Sequence, residues 1–220
     1  VKVYKIYKNN ILQFLQDNAL NGTQNLKQVS QTVAKKTIPL KQNNLLDYSK
    51  WNTYALDLSK IIKPEPGAIY RVEFSFKKKY SMYNCGNNAK NTNQENESDE
   101  EEQDENDINY SYDHYDYYYE NDYEWRSRIN PCNNDYYFAN TKVGINILAT
   151  DVGIIAKRGT DKSINIAVTN IITTEPIADA TVDLYNFQQQ KIASSKTDAD
   201  GFATFKLDKF AYFAVVTKEE

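Results

Sequence analysis

Histidine is nearly missing: the 220 residues contain one, His114, with one methionine and two cysteines. A single imidazole excludes histidine-rich metal centres and leaves any nucleophile with one candidate base. His114 lies inside an acidic, tyrosine-rich stretch that offers it no ordered partner, so it reads as an exposed loop residue. No GxSxG, Walker A, GxGxxG, HExxH or paired CxxC pattern is present. Cys85 is followed by Gly-Asn-Asn and Cys132 by Asn-Asn-Asp, and neither has a visible base. No catalytic residue, cofactor-binding residue or metal ligand is therefore assigned, and the chain reads as non-enzymatic. Asp198-x-Asp200-Gly201 has the start of a calcium loop but not its spacing. An EF-hand places glycine sixth and glutamate twelfth, whereas the twelfth position here is Lys209.

Long apolar runs are also lacking. No stretch approaches the ~18 residues of a membrane span. No secretory signal is visible at the N-terminus. Val1 opens directly in a strand-like run without an initiator methionine, and Glu220 follows an apolar run. Both ends read as cut from a longer protein, which would carry any targeting or anchoring segment.

What is abundant is tyrosine, 18 residues, and acid in one place. Glu95 to Glu124 holds 14 acidic residues and no lysine or arginine. The remainder has 16 acids against 26 basic residues, about +10, so the net charge of −4 describes neither part. The scattered lysines of that remainder come with no nucleic-acid-binding motif. Residues 86–124 are low in aliphatics and cannot bury enough apolar area to offset ordering entropy, so Asn87 to Asp107 is expected to be disordered. Such a run could collect Ca²⁺ or a basic partner, but a solvated, self-repelling segment is the simpler reading. Three short glycosylation-type patterns, at Asn21, Asn96 and Asn109, carry little weight.

Cys85 and Cys132 flank this segment. They are either two unrelated thiols or one disulfide closing the neck of an insertion at about 86–131. Their bracketing of the composition shift favours the disulfide, and with it an oxidising compartment.

Outside the insertion the pattern is β. Val1 to Ile6 reads as a strand, and Asn10 to Leu20 as a turn or two of helix ended by Asn21-Gly22. Thr37 to Leu40 suits a short strand, as does the alternation of Tyr54, Leu56 and Leu58. Pro64-Glu65-Pro66-Gly67 is a rigid turn. After it, Tyr70, Val72, Phe74 and Phe76 alternate with Arg71, Glu73 and Ser75, which predicts a strand running on toward Cys85 with its aromatics buried and its charges in water. A run at Tyr136 to Phe138 leads into a second β pattern. There Val143, Ile145 and Ile147 alternate, then Ile164, Ile166 and Val168, then Val182 and Leu184. Thr197 to Gly201 is a hairpin turn, and Phe205, Leu207 and Tyr212 to Val216 complete the set. Short strands at this spacing predict sandwiches, with a boundary near Thr141.

The stretch Asn146 to Arg158, continued by Ile164 to Thr169, Glu175 to Tyr185 and Thr197 to Phe202, resembles a macroglobulin-like domain of bacterial α2-macroglobulins. Trp51 to Ser59, Ile62 to Phe74, Tyr80 to Cys85 and Asn130 to Cys132 are similar to the Bacteroidetes-type branch of the same family. The resemblance implies an all-β chain of two antiparallel, immunoglobulin-like sandwiches, 1–140 and 141–220, with the acidic insertion in the first. It also implies a large periplasmic or cell-surface parent protein, anchored to the outer membrane through its N-terminus. Family members trap proteases after a bait segment is cut, some through a Cys-Gly-Glu-Gln thioester that is absent here. The partners implied are neighbouring domains of the parent chain and, through the full-length protein, proteases. A sandwich used for adhesion or carbohydrate binding fits the strands and tyrosines equally well, and an exposed aromatic platform would favour it.

Overall fold

The computed structural model describes residues 1–39, 50–85, 125–140 and 143–218. His114, the stretch Asn87 to Asp107 and Thr141 lie outside the described residues. The elements are β1 (Lys2–Ile6), α1 (Ile11–Asp17), α2 (Leu26–Val29), β2 (Ser30–Lys35), β3 (Ile69–Phe74), α3 (Asn134–Asn140), β4 (Val143–Leu148), β5 (Val152–Arg158), β6 (Ser163–Asn170), β7 (Thr181–Tyr185), β8 (Lys191–Lys196), β9 (Phe202–Lys206) and β10 (Phe213–Thr217). They form three sheets, ordered β2-β1-β3-β4, β10-β7-β8 and β5-β6-β9. The chain is thus mostly β with short helices.

Contacts divide it into two compact units. One comprises Val1–Lys2, Lys35–Leu40 and Val72–Ile145, the other Val3–Ala34, Lys41–Arg71 and Asn146–Glu220.

The last part of the second unit is a sandwich. β6 pairs antiparallel with β5 and β9, with Ile166 opposite Ala156 and Ala203. β7 pairs antiparallel with β8 and β10, with Val182 opposite Ser195 and Val216. The period of two sends Ile164, Ile166 and Val168 of β6 inward. They meet Ala180, Val182 and Leu184 from the other sheet and Ala203 and Phe205 of β9 in one core. β5 lies at an edge, and Ile154, opposite the buried Val168, stays exposed. The hairpin at Thr197–Gly201 forms as the sequence suggests. Asp198 Oδ1 accepts from the N–H of Asp200 (3.0 Å) and of Phe202 (2.8 Å). Its carboxylate is committed to its own turn, which accounts for the aspartates without an ion. Gly201 takes φ +78°, and a Cβ there would come within 2.5 Å of the Val168 carbonyl oxygen.

A second core in the same unit gathers Ile6 of β1, Phe14 of α1, Val29 of α2 and Ile69 of β3. Ile11, Phe14 and Leu15 share one helical face by their three- and four-residue spacing. Asn18 ends α1: its Nδ2 donates to the carbonyls of Phe14 and Gln24, both at 2.9 Å, and its Oδ1 accepts from the Gln24 N–H.

Several sequence expectations are corrected. The strand expected to run toward Cys85 ends at Phe74, and Lys78–Tyr80 is a 3-10 turn. Its alternation also fails: Ile69, Tyr70, Arg71 and Val72 are all buried while Phe74 is 39% exposed. Four successive buried residues mean that side chains on both faces of β3 are covered up to Val72, and Arg71 on the face expected to be wet finds Asn146 of β4. No strand forms at 37–39; β2 lies earlier, and the Lys36 N–H donates to the Val1 carbonyl just past its end. Tyr54, Leu56 and Leu58 form no strand either. Asp57 accepts from the N–H and hydroxyl of Ser59 and turns the chain into a 3-10 helix at Leu58–Lys60. Tyr136 to Phe138 belongs to α3, whose start is marked by Asn133 Oδ1 accepting from the Asp135 N–H.

Candidate functional site

Three groupings of side chains carry the chemistry that the described residues offer. The first is a buried polar hub in the second unit. Asn146 of β4 accepts from Arg71 Nη1 through its Oδ1 at 3.1 Å. Its Nδ2 donates to the carbonyls of Leu20 and Gly22, both at 2.9 Å, and its backbone N–H donates to Asn21 Oδ1 at 3.0 Å. One amide thus accepts from a buried guanidinium and closes the turn after α1. Arg71 is 8% exposed and Asn146 7%. The sequence places Arg71 in water; its partner, 75 positions away, gives no local signal. Asn146→Ala is expected to cost about 2–4 kcal/mol, because it removes one hydrogen bond to a buried guanidinium and two to part-buried carbonyls. Urea unfolding of the variant checks this, and a loss below ~1 kcal/mol would show the hub to be dispensable.

Nearby, Lys5 of β1 pairs with Glu65 of the Pro64–Gly67 turn. The hydrogen bond from Lys5 holds the Glu65 carboxyl below its ordinary value, and the same bond holds the Lys5 ammonium above its own. The depressed acid loses its contribution as pH falls through its folded value, and the raised base loses its own as pH rises through its folded value. The pair therefore fastens the turn across the neutral range.

The second grouping is an exposed aromatic cluster at one end of the sandwich. Tyr212 meets Phe187 with centroids 5.4 Å apart and Phe210 at 4.8 Å, each with planes at 65°. The Arg158 guanidinium lies over Phe210 at 4.8 Å. The Phe187 carbonyl accepts from Gln16 Nε2 at 2.5 Å, and Gln189 Nε2 donates to Gln16 Oε1, so α1 braces the turn that carries Phe187. With planes at 65° to one another, neighbouring rings do not form one flat stacking face.

The third grouping is the neck of the insertion in the first unit. Cys85 and Cys132 are joined in a disulfide, with Cα atoms 5.6 Å apart. Phe76 meets Tyr137 at 6.1 Å, and the Tyr137 hydroxyl donates to the Pro131 carbonyl at 2.7 Å. Among the described residues no cluster of three or more His, Cys, Asp or Glu has the geometry to hold a metal.

A two-sheet antiparallel sandwich with its core fed from both sheets defines a macroglobulin-like or immunoglobulin-like module. Residues 149–220, which hold this sandwich, match the family model of the bacterial alpha-2-macroglobulin MG3 domain. The resemblance read from the sequence is borne out over those residues. Two solved structures of native alpha-2-macroglobulin from Escherichia coli are also similar. The one spanning domains MG0-NIE-MG1 aligns over 99% of this chain and 51% of its own, at 13% identity and a TM-score of 0.47. The one spanning NIE-MG1 aligns over 36% of this chain and 37% of its own, at 21% identity and a TM-score of 0.31. This chain thus spans about half of the longer of these structures. Comparison with curated proteins gives no match.

Proposed function

We propose that this chain is a non-catalytic, load-carrying part of a bacterial α2-macroglobulin-like protease trap. The observation that supports this most directly is the match of residues 149–220 to the MG3 domain, over a sandwich whose two sheets share one core. We keep the domain division of the sequence reading, 1–140 and 141–220 with the boundary near Thr141, beside the contact grouping of Val3–Ala34 and Lys41–Arg71 with Asn146–Glu220. The parent protein resides in the periplasm or on the cell surface, held by an anchor outside these residues, where the Cys85–Cys132 disulfide persists. Its partners are neighbouring domains of the same chain, and proteases only through the whole protein.

The test compares the parent protein with the 220-residue chain against trypsin, using a large protein substrate and a small peptide substrate. The parent is expected to suppress cleavage of the large substrate and spare the small one, because a trapped protease keeps its active site. The 220-residue chain alone is expected to change neither rate. Stoichiometric inhibition by the chain alone would overturn the scaffold reading, and an inert parent would overturn the trap reading.

A further inference from the structure

The neck of the insertion combines two features that the scaffold reading does not use: concentrated positive charge and exposed apolar side chains. Phe74 to Cys85 and Trp125 to Asn134 contain Lys77, Lys78, Lys79, Arg126 and Arg128, and no aspartate or glutamate. The disulfide fixes these two segments together, with Cα atoms of 85 and 132 at 5.6 Å, and Phe76 of the first meets Tyr137, just past the end of the second. Between the cations stand side chains that a water-facing surface has no reason to show. Met82 is 90% exposed, Ile129 78%, Tyr83 61% and Trp125 58%. Met82 and Tyr83 lie within three residues of Cys85, and Ile129 within three of Cys132. Two of the cations lie over aromatic faces, Arg128 over Trp125 at 3.6 Å and Lys79 over Tyr80 at 5.4 Å.

Cations interleaved with tyrosine, tryptophan and aliphatic tips match the boundary layer of a bilayer. There, amphipathic rings sit at headgroup level, apolar tips enter the acyl region, and lysine and arginine meet lipid phosphates. A protein partner would more often present a packed apolar centre with charge depleted from it. Here charge and apolar tips alternate within a few residues. We propose that the disulfide-bound neck is a docking surface for an anionic phospholipid membrane, with Lys77, Lys78 and Arg126 meeting the headgroups and Met82 and Ile129 inserting between them. This goes beyond the scaffold reading and stands or falls independently of it. The 14 acidic residues at 95–124 oppose such contact, and the vesicle test weighs the cations of the neck against them.

The test is sedimentation of the 220-residue chain with vesicles of phosphatidylcholine alone or with 30 mol% phosphatidylglycerol added. Binding is expected to the anionic vesicles only, weakening as NaCl is raised. Each basic residue near such a surface contributes about fivefold in affinity, so Lys77→Gln/Lys78→Gln/Arg126→Gln should lose roughly a hundredfold. Met82→Ser/Ile129→Ser should weaken vesicle binding severalfold and leave binding to heparin, a soluble polyanion, unchanged. All five side chains reach the surface, so circular dichroism of both variants should match the parent chain. No binding to anionic vesicles, equal binding to both compositions, or full retention by the triple variant would overturn the proposal. Equal effects of Met82→Ser/Ile129→Ser on vesicles and heparin would also overturn it, by assigning the patch to polyanions in solution.

Discussion

Reduction of the Cys85–Cys132 bond is expected to lower the stability of the first unit by about 4 kcal/mol in the chain-entropy account, given a separation of 47 residues. The origin lies in the unfolded chain. Without the bond, the ends of the insertion wander apart, and folding must bring them back to 5.6 Å. The Phe76–Tyr137 contact and the Tyr137 to Pro131 hydrogen bond also hold the neck, at about 1 kcal/mol each, well below what the bond is expected to contribute. Thermal unfolding with and without reductant, and of Cys85→Ser/Cys132→Ser, should show the same loss. Intact-mass analysis should show two alkylated thiols only after reduction. Equal melting of reduced and oxidised protein would refute the claim, as would thiols that alkylate freely in oxidised protein.

Ile166→Ala is expected to cost about 2–5 kcal/mol, from lost transfer energy and the cavity left behind. Ile166 is fully buried at the centre of β6, between β5 and β9 and beneath the facing sheet. Ile155→Ala provides the contrast. Ile155 stands on β5, the neighbouring strand, but is 71% exposed, and its truncation should change stability by no more than about 0.5 kcal/mol. Urea unfolding of the two variants reads the difference directly. Similar costs for both would mean that β5 is covered on a face the sandwich leaves open.

Much of this was readable because alternation reports a half-buried strand whenever one face is covered and the other is wet. β6 and β7 meet that condition, and their inward residues are those the sequence pattern names. α1 was readable from apolar spacing. The failures share a cause: alternation cannot say what stands across from a strand. Arg71 of β3 is buried against all local expectation, and its hydrogen bond to Asn146, 75 positions away, is a partner that no local pattern announces. Tyr54, Leu56 and Leu58 alternate with no neighbour to pair with. β2 was missed because it has no buried face to betray it; most of its residues are exposed. The start of α3 did carry a signal, Asn133 followed by Asp135 in the first turn, which is an N-terminal helix signature. The aromatic cluster of Phe187, Phe210 and Tyr212 draws on two separate loops, a meeting no local pattern announces.

The neck has one more consequence, and it concerns what can change over generations. The disulfide holds the two ends of the insertion at a fixed chord, so a change of sequence within 86–124 leaves the distance between the exit and the re-entry of the chain as it is. Lengthening a closed loop costs only about 0.6 kcal/mol per doubling. Residues 86–124 can therefore be rewritten, extended or exchanged for foreign sequence while the strands on either side keep their places. The position is a ready port for grafting an epitope, a tag or a small folded domain, and lineages carrying this neck are free to diverge there first.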